Sequence, residues 1–407
     1  MSRLLLQGAA VIAGALVPDA VVSCEDGVVV WSGPAAAFAA EGWPRPQRLP
    51  DEHTLLPGLV DLHCHGAVGA DFAAAGSPPD PDGEGAARAA AYHRRHGTTS
   101  LVASIVSGSD ADTRRALVAL APLVDDGLLA GLHLEGPYLS PARRGAHDPR
   151  LLRDPDLAEL QGWLELADGR IVQVTIAPEL PGAAAAAALV REAGAVAAIG
   201  HTDADQRTTA DALAAAEGGG VPALVTHLFN AMPSLHHREP GPIGPALDAA
   251  ARGRAVLELI GDGVHVDDVL VGTVLRLVGP GSVALVTDAM AAAGVGDGDY
   301  ELGGLQVHVN AGVARLVTDD GPGAIAGGTS TLLDVVRRCA LTASTPRACL
   351  PDVVAAASTT PAQVLGRLHT SATHDAPLTP GTPADLLVVD ADLRPVRVAV
   401  RGRWLHG

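Results

Sequence analysis

Two histidines one residue apart, His63 and His65, close an apolar run, and five more residues able to bind a metal or move a proton lie downstream: Glu135, His201, His227, His265 and Asp288. Imidazole and carboxylate groups ligate divalent ions. Three of them around an open coordination position make a catalytic site, and a longer set can hold two ions. Taken singly, each residue has an ordinary explanation. A lone histidine such as His227 is usually a packed or solvated group. Asp288 is a favoured helix N-cap, and His147 and Asp148 lie in a loop where water would satisfy them. Glu135 is harder to dismiss, because it ends the apolar stretch Leu132-His133-Leu134, where an uncompensated charge is costly and a cation would offset it. His133 shares that strand face by the two-residue period but lies one step deeper, which suits a structural role.

Such scattered residues meet only if the elements carrying them converge. From residue 55 onward, runs of Val, Ile and Leu alternate with Ala-rich helical stretches, the pattern of parallel strands covered by helices. Eight runs lie at 59–63, 98–106, 129–134, 171–176, 197–200, 223–227, 256–260 and 283–287, with helices expected over 85–96, 110–123, 154–166, 182–193, 203–216 and 266–278. This predicts an α/β fold, a TIM-like (β/α)8 barrel, whose active-site face is formed by the carboxyl ends of the strands. His63 and His65 close the first run, Glu135 follows the third, His201 the fifth and His227 the sixth; His265 lies just past the seventh and Asp288 ends the eighth. All are therefore expected at one face.

Both chain ends, 4–31 and 384–404, carry short strands separated by Gly, Pro and Asp, and are expected to build one small β-sandwich domain together. The expected boundaries are 1–53 and 372–407 for that domain and 54–371 for the barrel. The apolar opening at 4–17 would suit a signal peptide, but Gly8, Gly14 and the short strands that follow favour a β-hairpin. No run of about 18 apolar residues elsewhere supports a membrane span.

Composition excludes further classes. With 48% hydrophobic and 2% aromatic residues the core must be aliphatic, with little capacity for base stacking. A formal charge of −18 disfavours a nucleic-acid surface. All 28 basic residues are arginines, so Schiff-base lysines, the P-loop lysine and a carboxylated lysine bridging two metals are ruled out. Four cysteines without C-x-x-C spacing fit a reducing compartment, the cytoplasm.

The long segment after the sixth run holds a single Arg238 among amides and histidines, a composition suited to gripping an anion such as phosphate. Asp262 and His265 share the next loop, the first able to cap a helix, the second placed to polarise a substrate carbonyl. At this point the stretches PGLVDLHCHG, LHLEGPYLSPARRGAHDP, TIAPE, GHTDAD, THLFNAMPSLHHREPG, IGDGVHV, LVTDAM and GTPADLLVVD, spread over residues 57–390, can be taken together. In combination the chain resembles the amidohydrolase superfamily and, within it, the N-acetylglucosamine-6-phosphate deacetylases. The resemblance implies hydrolysis of an N-acetylated amino sugar phosphate to the free amine and acetate. It implies Glu135, His201 and His227 as metal ligands and Asp288 as acid/base. It places Ala146, His147, Asn230, Ala231, Arg238, Asp262, His265, Ile325, Ala326 and Gly327 around the sugar phosphate. One or two divalent ions, zinc or iron, are implied, the second through His63 and His65, and so is a homodimer. Two alternatives stand beside it: a deacetylase of the galactosamine epimer, and a sugar-phosphate sensor without turnover. The intact Asp288 argues against the sensor.

Overall fold

The computed structural model describes residues 2–78, 80–216, 222–319, 321–341, 349–368 and 377–405. Eight parallel strands form one sheet in sequence order: β1 (Leu59–Cys64), β2 (Thr98–Val106), β3 (Gly131–Glu135), β4 (Ile171–Ile176), β5 (Val196–Ile199), β6 (Ala223–Val225), β7 (Ala255–Ile260) and β8 (Val283–Val286). The sheet closes on itself just past its last strand. Cys64 and Ala289 form a parallel bridge, and the Asp288 N–H donates to the His63 carbonyl at 2.9 Å. The Thr287 hydroxyl donates to Asp61 Oδ2 at 2.6 Å, so the seam is also tied by side chains.

Helices α1 (Glu84–Arg95), α2 (Asp110–Asp125), α3 (Leu157–Ala167), α4 (Ala183–Glu192), α5 (Gln206–Ala216), α6 (Ile243–Ala251), α7 (Asp268–Val278) and α8 (Leu332–Leu341) follow the strands. Ser109, Asp156 and Asp267 cap α2, α3 and α7, each accepting a backbone N–H of the first turn. Where aromatic residues are scarce, buried alanines such as Ala86, Ala89, Ala90, Ala116, Ala186 and Ala250 bring helices and strands together.

The small β domain expected from both chain ends is present. Arg3–Ile12 and Ala15–Glu25 form a hairpin, Val28–Pro34 extends it, and Leu386–Val389, Pro395–Val400 and Arg403–Trp404 join from the other end. Thr54–Pro57, expected in the barrel, instead pairs with Arg3–Ile12 and Leu386–Val389 in this sheet. The expected boundary at 371/372 lies outside the described residues. An antiparallel meander of Gly298–Leu302, Leu305–Asn310, Val313–Thr318 and Gly321–Ile325 stands between β8 and α8, where no strands were expected.

Candidate active site

His63 lies at the end of β1 with His65 just past it, Glu135 ends β3, and His201, His227 and Asp288 come within two residues of the ends of β5, β6 and β8. The last three share a backbone feature. Their φ angles are +48°, +27° and +48°, a left-handed conformation costing of order 1–3 kcal/mol for a non-glycine residue. Neighbouring backbone holds them there. The carbonyls of His201, His227 and Asp288 accept the N–H groups of Ser140, Asn230 and Gly328 at 2.9, 3.0 and 2.6 Å. The turned backbone aims each side chain back over the barrel mouth.

The side chains meet at Glu135. Its Oε1 lies 3.0 Å from His201 Nε2 and 2.9 Å from His227 Nε2, and those two nitrogens are 3.0 Å apart. His65 Nε2 reaches Glu135 Oε2 at 3.2 Å and Asp288 Oδ1 at 3.0 Å, and lies 3.1 Å from His63 Nε2. His265 donates from Nδ1 to Asp262 Oδ2 at 2.8 Å and presents Nε2 toward Asp288 Oδ2, 3.8 Å away.

This donor set fits a metal. His201 Nδ1 faces the Arg143 carbonyl at 2.9 Å, which only accepts, so Nδ1 carries a proton and Nε2 is the ring atom left to face an ion. His201 Nε2 and Glu135 Oε1 face each other at 3.0 Å, an arrangement that a shared cation, proton or metal ion stabilises. Among the described residues the cavity lining contains no arginine, and the chain has no lysine to neutralise the buried carboxylates. Glu135, His63 and His65 form one group able to hold an ion; Glu135, His147 and His201 form another.

The electrostatics follow from burial opposed by neighbours. Burial would raise Glu135, but His63 and hydrogen bonds from His147, His201 and His227 hold it well below the usual carboxylate range. Burial likewise opposes ionisation of Asp288, and contacts with His65 and His63 outweigh it and lower its pKa. For His65 burial is outweighed by hydrogen bonds to Asp288 and Glu135, which lift it to about 9. His265 is raised against its burial by Asp262 and then Asp288, and its Nε2 is turned toward Asp288 at the cavity. Burial lowers His227.

A cavity of about 280 Å³ opens over these groups. Ala146, His147, Asn230, Ala231, His265, Ile325 and Gly327 line it, as expected of substrate contacts, together with Phe229, Leu302 and Ala324. Three expectations are revised, and Arg238 stands apart from the cavity of its own chain. Arg238 is exposed, its guanidinium meets His237 at 3.0 Å, and it is absent from the described lining of the cavity. Asp262 does not reach the cavity; it accepts the N–H groups of Val264 and His265 and orients the His265 ring. Ala326 is buried behind the lining. Neither Asp262 nor Asp288 caps a helix, since Asp267 caps α7 and Asp288 is followed by turns and the meander.

His133 is bonded on both sides, to Ser104 Oγ at 2.9 Å and Thr175 Oγ1 at 2.8 Å, and lies outside both metal-holding groups. Loop residue His147 is buried, with Nε2 3.4 Å from Glu135 Oε2 and Nδ1 2.8 Å from Ser107 Oγ. Sequence reasoning missed Glu258 and Gln173, polar residues inside apolar strands, and Leu302, which the meander delivers to the cavity.

A sequence profile of the amidohydrolase family matches residues 54–405. The chain is 33% identical over 353 residues to N-acetylglucosamine-6-phosphate deacetylase of Vibrio furnissii, covering 86% of this chain and 82% of that one. It is 31% identical over 358 residues to N-acetylgalactosamine-6-phosphate deacetylase of Escherichia coli O157:H7, covering 87% and 88%. The structure superposes with a TM-score of 0.87 and 40% identity on N-acetyl-D-glucosamine-6-phosphate deacetylase of Mycobacterium smegmatis, a D267A mutant in complex with N-acetyl-D-glucosamine-6-phosphate, covering 99% of each chain.

Proposed function

The chain belongs to the amidohydrolase family, and from that premise we propose that it hydrolyses the N-acetyl group of N-acetyl-D-glucosamine 6-phosphate to D-glucosamine 6-phosphate and acetate. The observation that carries this reading is the convergence of Glu135, His201 and His227 within 3.0 Å of one another, with Asp288 and His265 facing the same cavity. Glu135, His201 and His227 would hold one divalent ion, zinc or iron, and His63 and His65 a second that shares Glu135. When bound, such an ion supplies Lewis acidity that brings the pKa of water down to about 7.

The chain's own residues do the rest. Asp288, ionised because its histidine neighbours lower its pKa, takes a proton from the attacking water. His265, held by Asp262, donates to the oxygen on which negative charge develops. As the C–N bond breaks, Asp288 returns its proton to the departing nitrogen, which leaves acetate and the free amine. His147, Asn230, Ala231, Ile325 and Gly327 orient the sugar. Since the cavity offers no arginine, the phosphate is gripped by Arg238 of the second subunit in a homodimer. No helix among the described residues is long and apolar enough to cross a membrane, and the cysteine spacing supports a cytoplasmic enzyme.

The test is acetate release from the purified chain on this substrate, its galactosamine epimer and the unphosphorylated sugar, with bound metals counted by elemental analysis. Turnover preferring N-acetylglucosamine 6-phosphate supports the assignment. Preference for the epimer, or none without phosphate discrimination, overturns the substrate; an absence of acetate from the metal-loaded chain overturns the reaction.

A further inference from the structure

Glu258 has no part in the chemistry above, yet it is fully buried on β7 and touches both sets of metal-type ligands. Its Oε2 accepts the His63 Nδ1–H at 3.1 Å and the His227 backbone N–H at 3.2 Å, while Oε1 accepts Gln173 Nε2 at 2.8 Å. With the backbone N–H of His227 also donating to Oε2, the Glu258 carboxyl group is the acceptor facing His63 Nδ1, which places a proton on Nδ1. Nε2 is thereby the ring atom left to face the space shared with His65 Nε2 at 3.1 Å and the oxygens of Glu135 and Asp288, both at 3.5 Å. Gln173 fixes the other oxygen, which locks the carboxylate against rotation.

The two ligand groups are anchored differently. His201 is held by a backbone carbonyl, His63 by the carboxyl group of Glu258, and among the described residues Nδ1 of both His65 and His227 has no hydrogen-bond partner. We propose that Glu258 is a positioning residue for the second ion: by fixing the tautomer and ring plane of His63 and raising its basicity, it sets the affinity of the His63, His65 and Glu135 group. This rests on the two-ion reading. The first group depends on Glu258 only through the His227 backbone, and a glutamine in its place keeps an oxygen for that N–H.

The experiment titrates zinc into chelator-stripped protein against a competing chromophoric chelator, for the natural chain and Glu258→Gln. Two ions are expected in the natural chain. In the variant the affinity of one falls about 10–100-fold while the other is nearly unchanged. Glu258→Asp restores part of the loss. Two ions of unaltered affinity in Glu258→Gln overturn the role of Glu258 alone; a natural chain taking up a single ion overturns the two-ion reading and this inference with it. Should the variant not fold, 15N-histidine spectra of the zinc-loaded natural chain decide, assigned through His63→Asn. A proton on His63 Nδ1 supports the inference, and a proton on Nε2 overturns it.

Discussion

Asp288 shows how far a single residue's role depends on its surroundings. The same carboxylate in a helix cap would be a stability device. Here its left-handed backbone turns it over the barrel mouth, 3.0 Å from His65, with His265 on its other side. Asp288→Asn keeps the size and hydrogen bonding but removes the proton carrier. Turnover measured as acetate release should fall by roughly 10²–10⁴-fold, with the metal content of the purified protein retained. Near-normal turnover in that variant would remove Asp288 from its proposed role. Glu258 makes the complementary point about legibility. A lone carboxylate inside Ala-Val-Leu-Glu-Leu-Ile carries the same sequence signal as Glu135, namely a charge whose burial demands compensation. Its meaning stayed hidden because its partners, Gln173 and His63, are 85 and 195 positions away.

At the scale of elements, parallel strands buried on both faces announce themselves as continuous apolar runs, so all eight barrel strands were legible, most within two residues at each end. The meander was not. Its strand Leu305–Asn310 alternates buried and exposed positions, and it is polar enough to pass for a loop. The barrel seam was equally hidden, since it rests on Asp61 and Thr287, separated by 226 positions. Thr287→Val conserves shape but leaves Asp61 without its 2.6 Å donor. A loss of about 1–3 kcal/mol in urea unfolding is expected, and an unchanged midpoint would mean that the seam does not depend on this bond. On α1, buried His93 faces the Gly66 carbonyl at 3.1 Å, and burial lowers its pKa to about 4. The unfolded chain, with histidine near 6.5, takes up that proton first, so stability is full above pH 6.5 and is lost as pH falls toward 4. Going from pH 7 to 5 should cost about 2 kcal/mol through this group. His93→Gln should flatten that part of the pH profile, and an identical slope in both proteins would refute the assignment.

At the scale of the whole molecule, a chain of formal charge −18 must hold a phosphorylated substrate, and its own cavity contributes no arginine. Arg238 is exposed on a loop after β6 and, among the described residues, pairs with neither an aspartate nor a glutamate, as the proposed homodimer requires. Subunit mixing separates this arrangement from an effect within one chain. Arg238→Ala should weaken kcat/KM for the phosphorylated sugar by roughly 2–4 kcal/mol while barely changing the unphosphorylated one, and Asp288→Asn is inactive for a different reason. In a mixed pair of the two variants, the proposed dimer would have one site with an intact Asp288 that receives Arg238 from the other subunit. Unfolding and refolding an equal mixture should therefore restore about one quarter of natural activity, because half the dimers are mixed and each has one complete site of two. If Arg238 served its own chain, every site in the mixture would lack one residue or the other and activity would stay at the level of the parents.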